Sequence, residues 1–499
     1  MGGFSFSLLD GDQREAILRT ALEVLGKTGF YVENERSCAT LERAGARRSG
    51  HEIRIDPAMV REAVAAAPRQ VTLHAPNGER LQIGGDNKYF GSLLHDPVVA
   101  DYREGLRAPR LADVERNAKL ADALPLVHFI LKLDWQSSDG EGFELDMVRT
   151  LRAMMANSGK AYWCFPHDLE KLQVWLDMCG ICNDGKPLST HPNVIFAVHI
   201  DHPLRFKHLE GDLMAAIVER GLPVGLMTQF FAGSIAPYTL AGTLAMSTAA
   251  NLLELVLAQA IRPGAPCVWG GTAAAHNFQK DDGSYGGLER AMLSVGLAEM
   301  ARHLGLPCSV SPGCGTEVSR IDVQCGIEST LNNMAAVFGP THMALGLGSL
   351  AEGWGMGAEK ILIDHEVIAS LLRVRAGINT SEKYLAAAAI DRVGWAQGQP
   401  FKNDPLTHEL MDSGEHHYGT IFDRYAMWAI MNWRSPRTPD DFDWDKLNRK
   451  TMLERAHEKV EKLIAGHKST VPESRIEALD SYVREKEETL RGGSLAVSR

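Results

Sequence analysis

A chain of 499 residues, 45% hydrophobic and 23% charged, is long enough to bury a large core and to carry appended segments. Its formal charge of −11 argues against nucleic acid and against an anionic membrane surface as the main partner. No apolar h-region follows the start and no apolar run reaches the roughly 18 residues of a membrane span, so a cytoplasmic location is expected. Eight scattered cysteines suit a reducing compartment, and the single C-x-x-C, Cys179 to Cys182, reads as two core thiols near a helix end.

In chain order, residues 1–110 mix helix and strand as a small α/β cap. The segment QREAILRTALEVLGKTG has apolar residues at helical spacing and stops at Gly29, and VTLHAPNGERLQIGG forms a hairpin about Asn77-Gly78. Residues 111–380 alternate short apolar runs with amphipathic stretches. The runs are VHFILKLDW (127–135), KAYWCF (160–165), NVIFAVHID (193–201), PVGLMT (223–228), PCVWGG (266–271), PCSVSPG (307–313), HMALGLGS (342–349) and KILIDHE (360–366). Residues 381–499 are helical and charged, an extension that packs on the barrel or on a neighbouring subunit. A homo-oligomer is expected from that extension.

Continuous apolar runs suit strands buried on both faces, and strand–helix alternation requires a parallel sheet. Eight such units, without a G-x-G-x-x-G loop after the first strand, predict a closed (β/α)8 TIM barrel. Chemistry then belongs at the carboxyl ends of the strands. There the sequence places His199, Asp201, His202, His365 and Glu366, which offer a metal set of no recognised spacing. It also places Cys314 between Gly313 and Gly315, either a nucleophile or a small residue where nothing larger fits. Glu317 and Asp322 read as paired carboxylates or as a helix cap. Gly346 and Gly348 add to a run of glycines at the tips. Aromatic residues, among them Trp135, Trp163, Phe165, Phe230, Phe231, Trp269, Phe278, Tyr285 and Trp354, also gather near the expected mouth, and aromatic faces attract alkylammonium cations.

The order of these segments, from FSFSLLDGDQREAILRTALEVLGKTG through PYTLAGTLAMSTAANLLELVLAQAIRPGAPCVWGG and GLPCSVSPGCGTEVSRIDVQCGIEST to GSLAEGWGMGAEKILIDHEVI, resembles the trimethylamine methyltransferase family over roughly residues 5–490. The resemblance implies a TIM barrel that moves a methyl group from a methylated amine to the cobalt of a separate corrinoid protein. The founding branch carries pyrrolysine ahead of an acidic residue and a D-x-Q-x-G run. Here that run is Asp322-Val323-Gln324-Cys325-Gly326, the acidic residue is Glu317, and the pyrrolysine position falls on Gly315.

The chain therefore resembles the non-pyrrolysine branch, which demethylates quaternary amines such as glycine betaine. The resemblance implies cobalamin carried by a cognate protein or supplied free, with no tightly bound cofactor of the chain's own. A quaternary ammonium leaves as a neutral amine and needs no activating group. On this reading Trp163, Phe165, Phe230, Trp269 and Phe278 form an aromatic wall for the ammonium, and His202, Arg205 or His365 hold a carboxylate. Gly313, Gly315, Gly346 and Gly348 leave room for the corrin. Two other readings stay open: a metal-dependent barrel hydrolase or methyltransferase built on the histidine set, and a non-catalytic betaine-binding protein.

Overall fold

The computed structural model describes residues 6–133, 135–310, 315–395, 401–423 and 450–497, with side chains through residue 490. Eight parallel strands close on themselves: β1 (Tyr89–Leu93), β2 (Phe129–Leu131), β3 (Ala161–Cys164), β4 (Val194–Ile200), β5 (Val224–Ala232), β6 (Cys267–Asn277), β7 (Cys308–Val310) and β8 (Met343–Leu347). Each pairs with the next, β8 pairs with β1, and β5 and β6 complete the ring. One helix follows each strand: α1 (Leu111–Ala123), α2 (Phe143–Asn157), α3 (Leu169–Ile181), α4 (His208–Glu219), α5 (Leu240–Ile261), α6 (Leu288–His303), α7 (Val323–Phe338) and α8 (Ala358–Arg375). The fold is the expected (β/α)8 TIM barrel.

Strand alternation sorts the core into two sets. Phe129, Trp163, Ile195, Ala197, Met227, Val268 and Met343 pack together inside the ring. Tyr162, Phe196, Leu226, Phe230 and Trp269 pack against the helices outside it. The predicted hairpin forms from Val71–His74 and Arg80–Ile83, with Gly78 at φ 94° in its turn. Its backbone reaches Pro192 and Gly159, just ahead of β4 and β3, and its apolar face joins the inner set. It therefore closes the amino end of the barrel, leaving the carboxyl end for chemistry.

The helix α5 is apolar on every side because it is buried on every side. It is long and apolar enough to cross a membrane, yet 83% of its most apolar stretch lies inside the fold, against the helices Gly11–Glu23, Glu35–Arg43 and Pro57–Ala66 and the barrel wall. The first of these helices carries a capping box of Asp10 and Gln13. The chain then turns at Gly29, φ 76°, where a Cβ would meet the Ile53 carbonyl at 2.4 Å. Toward the carboxyl end, Met452–Ala465 packs on α1 and α8, and Glu473–Val497 packs on α2 and α3.

One of the eight expected strands is not a strand. KILIDHE lies inside α8, where Lys360 and Asp364, both with 0% side-chain exposure, pair one turn apart at 2.6 Å. Three consecutive aliphatic positions, Ile361 to Ile363, imitate a buried strand when a helix is itself buried. The missing strand is β1, in KYFGSLL, whose Gly91 and Ser92 weaken the apolar signal. Gly91 is required: a Cβ there would lie 2.3 Å from the Phe129 ring. The count therefore shifts by one, and the glycine-cysteine-glycine loop follows the seventh strand rather than the sixth.

Candidate functional site

At the carboxyl end, the inward positions of β3 and β4 build an aromatic column. Trp163 is fully buried at its base, and its ring meets Phe165 edge-on at 6.0 Å. Phe165 in turn stacks on His199 at 4.6 Å and 22°. Burial pushes the His199 imidazole down to about 4, a shift that nearby Asp201 only partly opposes, so the ring is neutral at physiological pH. The column thus presents π-faces without a fixed positive charge.

The opposite wall is polar. Inward-facing Gln229 on β5 donates to the Tyr285 hydroxyl at 2.8 Å, and Phe231 meets the Tyr285 ring edge-on. The Arg290 guanidinium lies 4.5 Å from the centre of that ring and also donates to the Tyr285 carbonyl. Asn332 on α7 donates to the carbonyls of Tyr285 and Gly315, at 3.2 and 2.8 Å, tying the loop after β7 to the segment after β6. Gly315 is buried.

Glu317 sits at the centre of this wall. Its carboxylate takes Lys280 at 2.7 Å and the Ser284 hydroxyl, while its backbone N–H donates to Glu328 at 2.8 Å. Gln324 in turn donates to Glu328 at 2.6 Å. Burial raises the Glu317 carboxyl, but Lys280 and Ser284 outweigh it and hold the group below its ordinary range. Lys280 also approaches Glu352 at 3.5 Å. The Glu352 carboxyl moves the other way, raised by burial and by the charges of Asp282 and Glu317. Ala351 and Glu352 adopt φ 48° and 61°, and their N–H groups donate to Val318 and Thr316. Two non-glycine residues in the left-handed region, pinned to the loop of Glu317, mark stored strain beside the mouth.

Several expected residues stand elsewhere. Phe230 and Trp269 face outward into the helix layer, because they fall on the odd beat of strands whose neighbours face in. Phe278 is 66% exposed on a hairpin beyond β6, beside His276 and Tyr238. His202 pairs with Asp201 at 2.8 Å on the outer rim. Arg205 pairs with Glu33 and covers Tyr31 of the amino-terminal sheet. His365 lies on α8, buried, its ring nitrogens without hydrogen-bond partners among the described residues. His202 and Arg205 are bridged to each other and engaged with Asp201 and Glu33, His365 sits apart within α8, and among the described residues no three metal-ligating side chains converge.

The glycines are more tightly packed than an open floor would be. A Cβ at Gly348 would strike Ile361 at 2.5 Å, and one at Gly270 would strike Met227 at 2.3 Å. Gly346 lies in a bulge of β8 at φ 125°. Gly313 and Cys314 lie outside the described residues. Asp322 caps α7 by accepting from the Cys325 N–H at 3.0 Å, so it is a cap and not the partner of Glu317. Cys179 and Cys182 are buried thiols at the end of α3. Lys280, Ser284, Glu328, Asn332 and Glu352 escaped the sequence reading: they lie on a hairpin, a helix and a strained turn, and only the folded loops bring them together. The turn-rich stretch NFQKDDGSYGG was the available signal for the hairpin.

The sequence matches the family model of trimethylamine methyltransferases over residues 4–491. It is 28% identical to the glycine betaine methyltransferase of Desulfitobacterium hafniense over 432 residues, covering 85% of this chain and 88% of that protein. It is 24% identical to the trimethylamine methyltransferase MttB of Methanosarcina barkeri over 481 residues, covering 94% of this chain and 93% of that one. Among solved structures, the monomethylamine methyltransferase of Methanosarcina barkeri superposes with a TM-score of 0.49 at 10% identity, covering 93% of this chain and 89% of that one. The match of nearly the whole chain to one family model, on a barrel whose carboxyl end carries the aromatic column and the Glu317 network, means that the chain belongs to the trimethylamine methyltransferase family and is a methyltransferase.

Proposed function

We propose that the protein moves a methyl group from a quaternary amine, glycine betaine or a similar betaine, to Co(I) of a corrinoid carried by a cognate protein or supplied free, and releases the tertiary amine. The observation that carries this reading is Gly315. Gly315 is buried and has no side chain, and by the resemblance it occupies the position that bears pyrrolysine in the founding branch, which supports a substrate that already has its fourth substituent. The N–CH3 bond breaks with its electron pair remaining on nitrogen, and the electron pair of Co(I) forms the new bond to the methyl carbon. A cation thereby becomes a neutral amine, and no proton is needed.

The chain's own part is positioning and exclusion of water. Phe165, over Trp163 and beside neutral His199, offers a π-face to the ammonium. Among the described residues Glu317 and Glu352 share Lys280, which leaves that cluster net negative and suited to a cation. With His202, Arg205 and His365 elsewhere, a dedicated carboxylate clamp is no longer part of the reading. Choline therefore belongs beside the betaines as a candidate substrate.

A homo-oligomer is supported by α7, which exposes Val323, Ile327, Leu331 and Met334 in one apolar row. A monomer in sedimentation velocity at micromolar concentration would remove that part of the proposal. The reaction is tested by mixing the protein with Co(I) cobalamin and glycine betaine, proline betaine, carnitine, choline or trimethylamine, and following the absorbance change on methylation. Turnover of a quaternary amine but not of trimethylamine is expected. Binding without turnover, or turnover of trimethylamine alone, overturns the proposal.

A further inference from the structure

Asp96 lies three residues beyond Leu93, an inward residue of β1, and therefore at the rim of the same carboxyl end. Its exposure is 0%, and among the described residues neither carboxylate oxygen has a hydrogen-bond partner. A buried carboxyl group left without a donor costs several kcal/mol in general, so such groups are rare unless a ligand completes them.

The backbone around Asp96 ties two tryptophan-bearing loops together. The His95 ring is 3.3 Å from the Leu133 carbonyl, which also accepts the Trp135 N–H, and the Val98 N–H donates to the Trp354 carbonyl at 3.0 Å. The two indoles meet edge-on at 5.6 Å, both partly exposed. Asp96 thus occupies the short span between the anchors of an aromatic pair at the barrel mouth. A ligand that brings positive charge but no N–H donor, held by aromatic faces, matches both features.

We infer that Asp96 is the counter-ion of the substrate's quaternary ammonium group, so that binding is recognition of a cation by a buried carboxylate. This rests on the proposed quaternary-amine reading and deepens it. Burial alone pushes the Asp96 carboxyl up to about 8; no charged group among the described residues contributes. The titratable groups on the adjoining segments are His95, engaged with Leu133 and Ser137, and buried Lys132, whose ammonium donates to the Leu133 carbonyl at 3.1 Å.

Without a bound cation the Asp96 carboxyl is therefore mostly protonated at pH 7, and a cation binds the deprotonated form and releases a proton to solvent. Affinity falls as pH drops below about 8, by about tenfold per pH unit, and levels off above it.

The test is isothermal titration of choline and glycine betaine into the full chain between pH 6 and 9, in buffers of differing ionisation heat, with wild type and Asp96→Asn. Wild type should release close to one proton per ligand at pH 7 and bind more tightly toward pH 8.5. Asp96→Asn, nearly the same shape, should release none, show a flat pH profile and bind at least about tenfold more weakly at pH 8.5. A neutral analogue with carbon in place of nitrogen, 3,3-dimethylbutanol, should bind without proton release to either protein.

Folding is checked by melting. Because the raised carboxyl favours the folded state at acid pH and that contribution is lost as pH rises toward 8, Asp96→Asn should gain melting temperature over wild type as pH rises. Unchanged affinity and proton release in Asp96→Asn would overturn the counter-ion role alone. Failure of the wild type to bind any quaternary amine would overturn the proposed function together with it.

Discussion

The two sides of the barrel mouth are built on opposite plans. On the β5–β7 side, Gln229, Tyr285, Asn332, Glu317, Lys280, Ser284 and Glu328 answer one another in hydrogen bonds and ion pairs that fix the loop of Gly315. On the β1–β4 side, the column of Trp163, Phe165 and His199 and the buried carboxyl of Asp96 leave polar capacity unspent. A network in which most groups are paired gives rigidity and a defined shape; a desolvated surface that carries an unpartnered carboxyl gives strong response to an incoming charge. The two walls divide the labour: the paired wall sets where the reacting group sits and adds a net negative cluster, and the desolvated wall adds π-faces and a buried carboxyl.

The largest effect is expected at the rigid wall. Gly315→Leu forces a branched side chain into a buried loop held by Asn332, and methyl transfer should fall by at least about 100-fold, the scale expected when reacting atoms are displaced by about an ångström. Initial rates with Co(I) cobalamin and the best quaternary amine measure it, and circular dichroism with melting shows whether the barrel survives. Gly315→Ala, a much smaller intrusion, should give an intermediate loss. Full activity in both variants would remove Gly315 from the account of the site.

On the aromatic wall the effect should be smaller and of a different kind. Phe165→Leu keeps apolar bulk but removes the π-face above Trp163 and beside His199. An aromatic contact to a cation is worth about 0.5–2 kcal/mol, so KM should rise about two- to thirtyfold while kcat changes little. Phe165→Tyr should restore most of the affinity. If KM is unmoved and kcat collapses instead, the column positions the loops and does not hold the ammonium.

How much of this could be read beforehand follows from the range of each interaction. The barrel was legible because strand–helix alternation is a local pattern repeated many times, and one misassigned run, KILIDHE for KYFGSLL, did not disturb it. Asp322 as a helix cap was among the legible alternatives for the same reason. The aromatic wall was half legible. Trp163 and Phe165 face inward, whereas Phe230 and Trp269 face the helices, and one residue of register separates the two outcomes. The Glu317–Lys280 pair joins positions 37 residues apart, and Asp96 is defined by missing partners, which no spacing in a sequence records.

The smallest effect is expected where expectation and structure part most clearly. Arg205 was a candidate for holding a substrate carboxylate, yet its guanidinium bonds Glu33 and covers Tyr31, joining the short strand after β4 to the amino-terminal sheet. Arg205→Ala should leave kcat/KM for glycine betaine within about twofold. Its cost should be that of a largely exposed ion pair, about 0.2–1 kcal/mol, read as a small fall in melting temperature. The pH dependence separates the two roles. The hydrogen bond from Arg205 is the largest cause holding the Glu33 carboxyl below its ordinary range, so the pair's contribution is present above that range and is lost as pH falls through the depressed value. The melting difference between Arg205→Ala and wild type should therefore be full at pH 7 and shrink in acid. A large rise in KM for glycine betaine, absent for choline, would instead return Arg205 to the substrate.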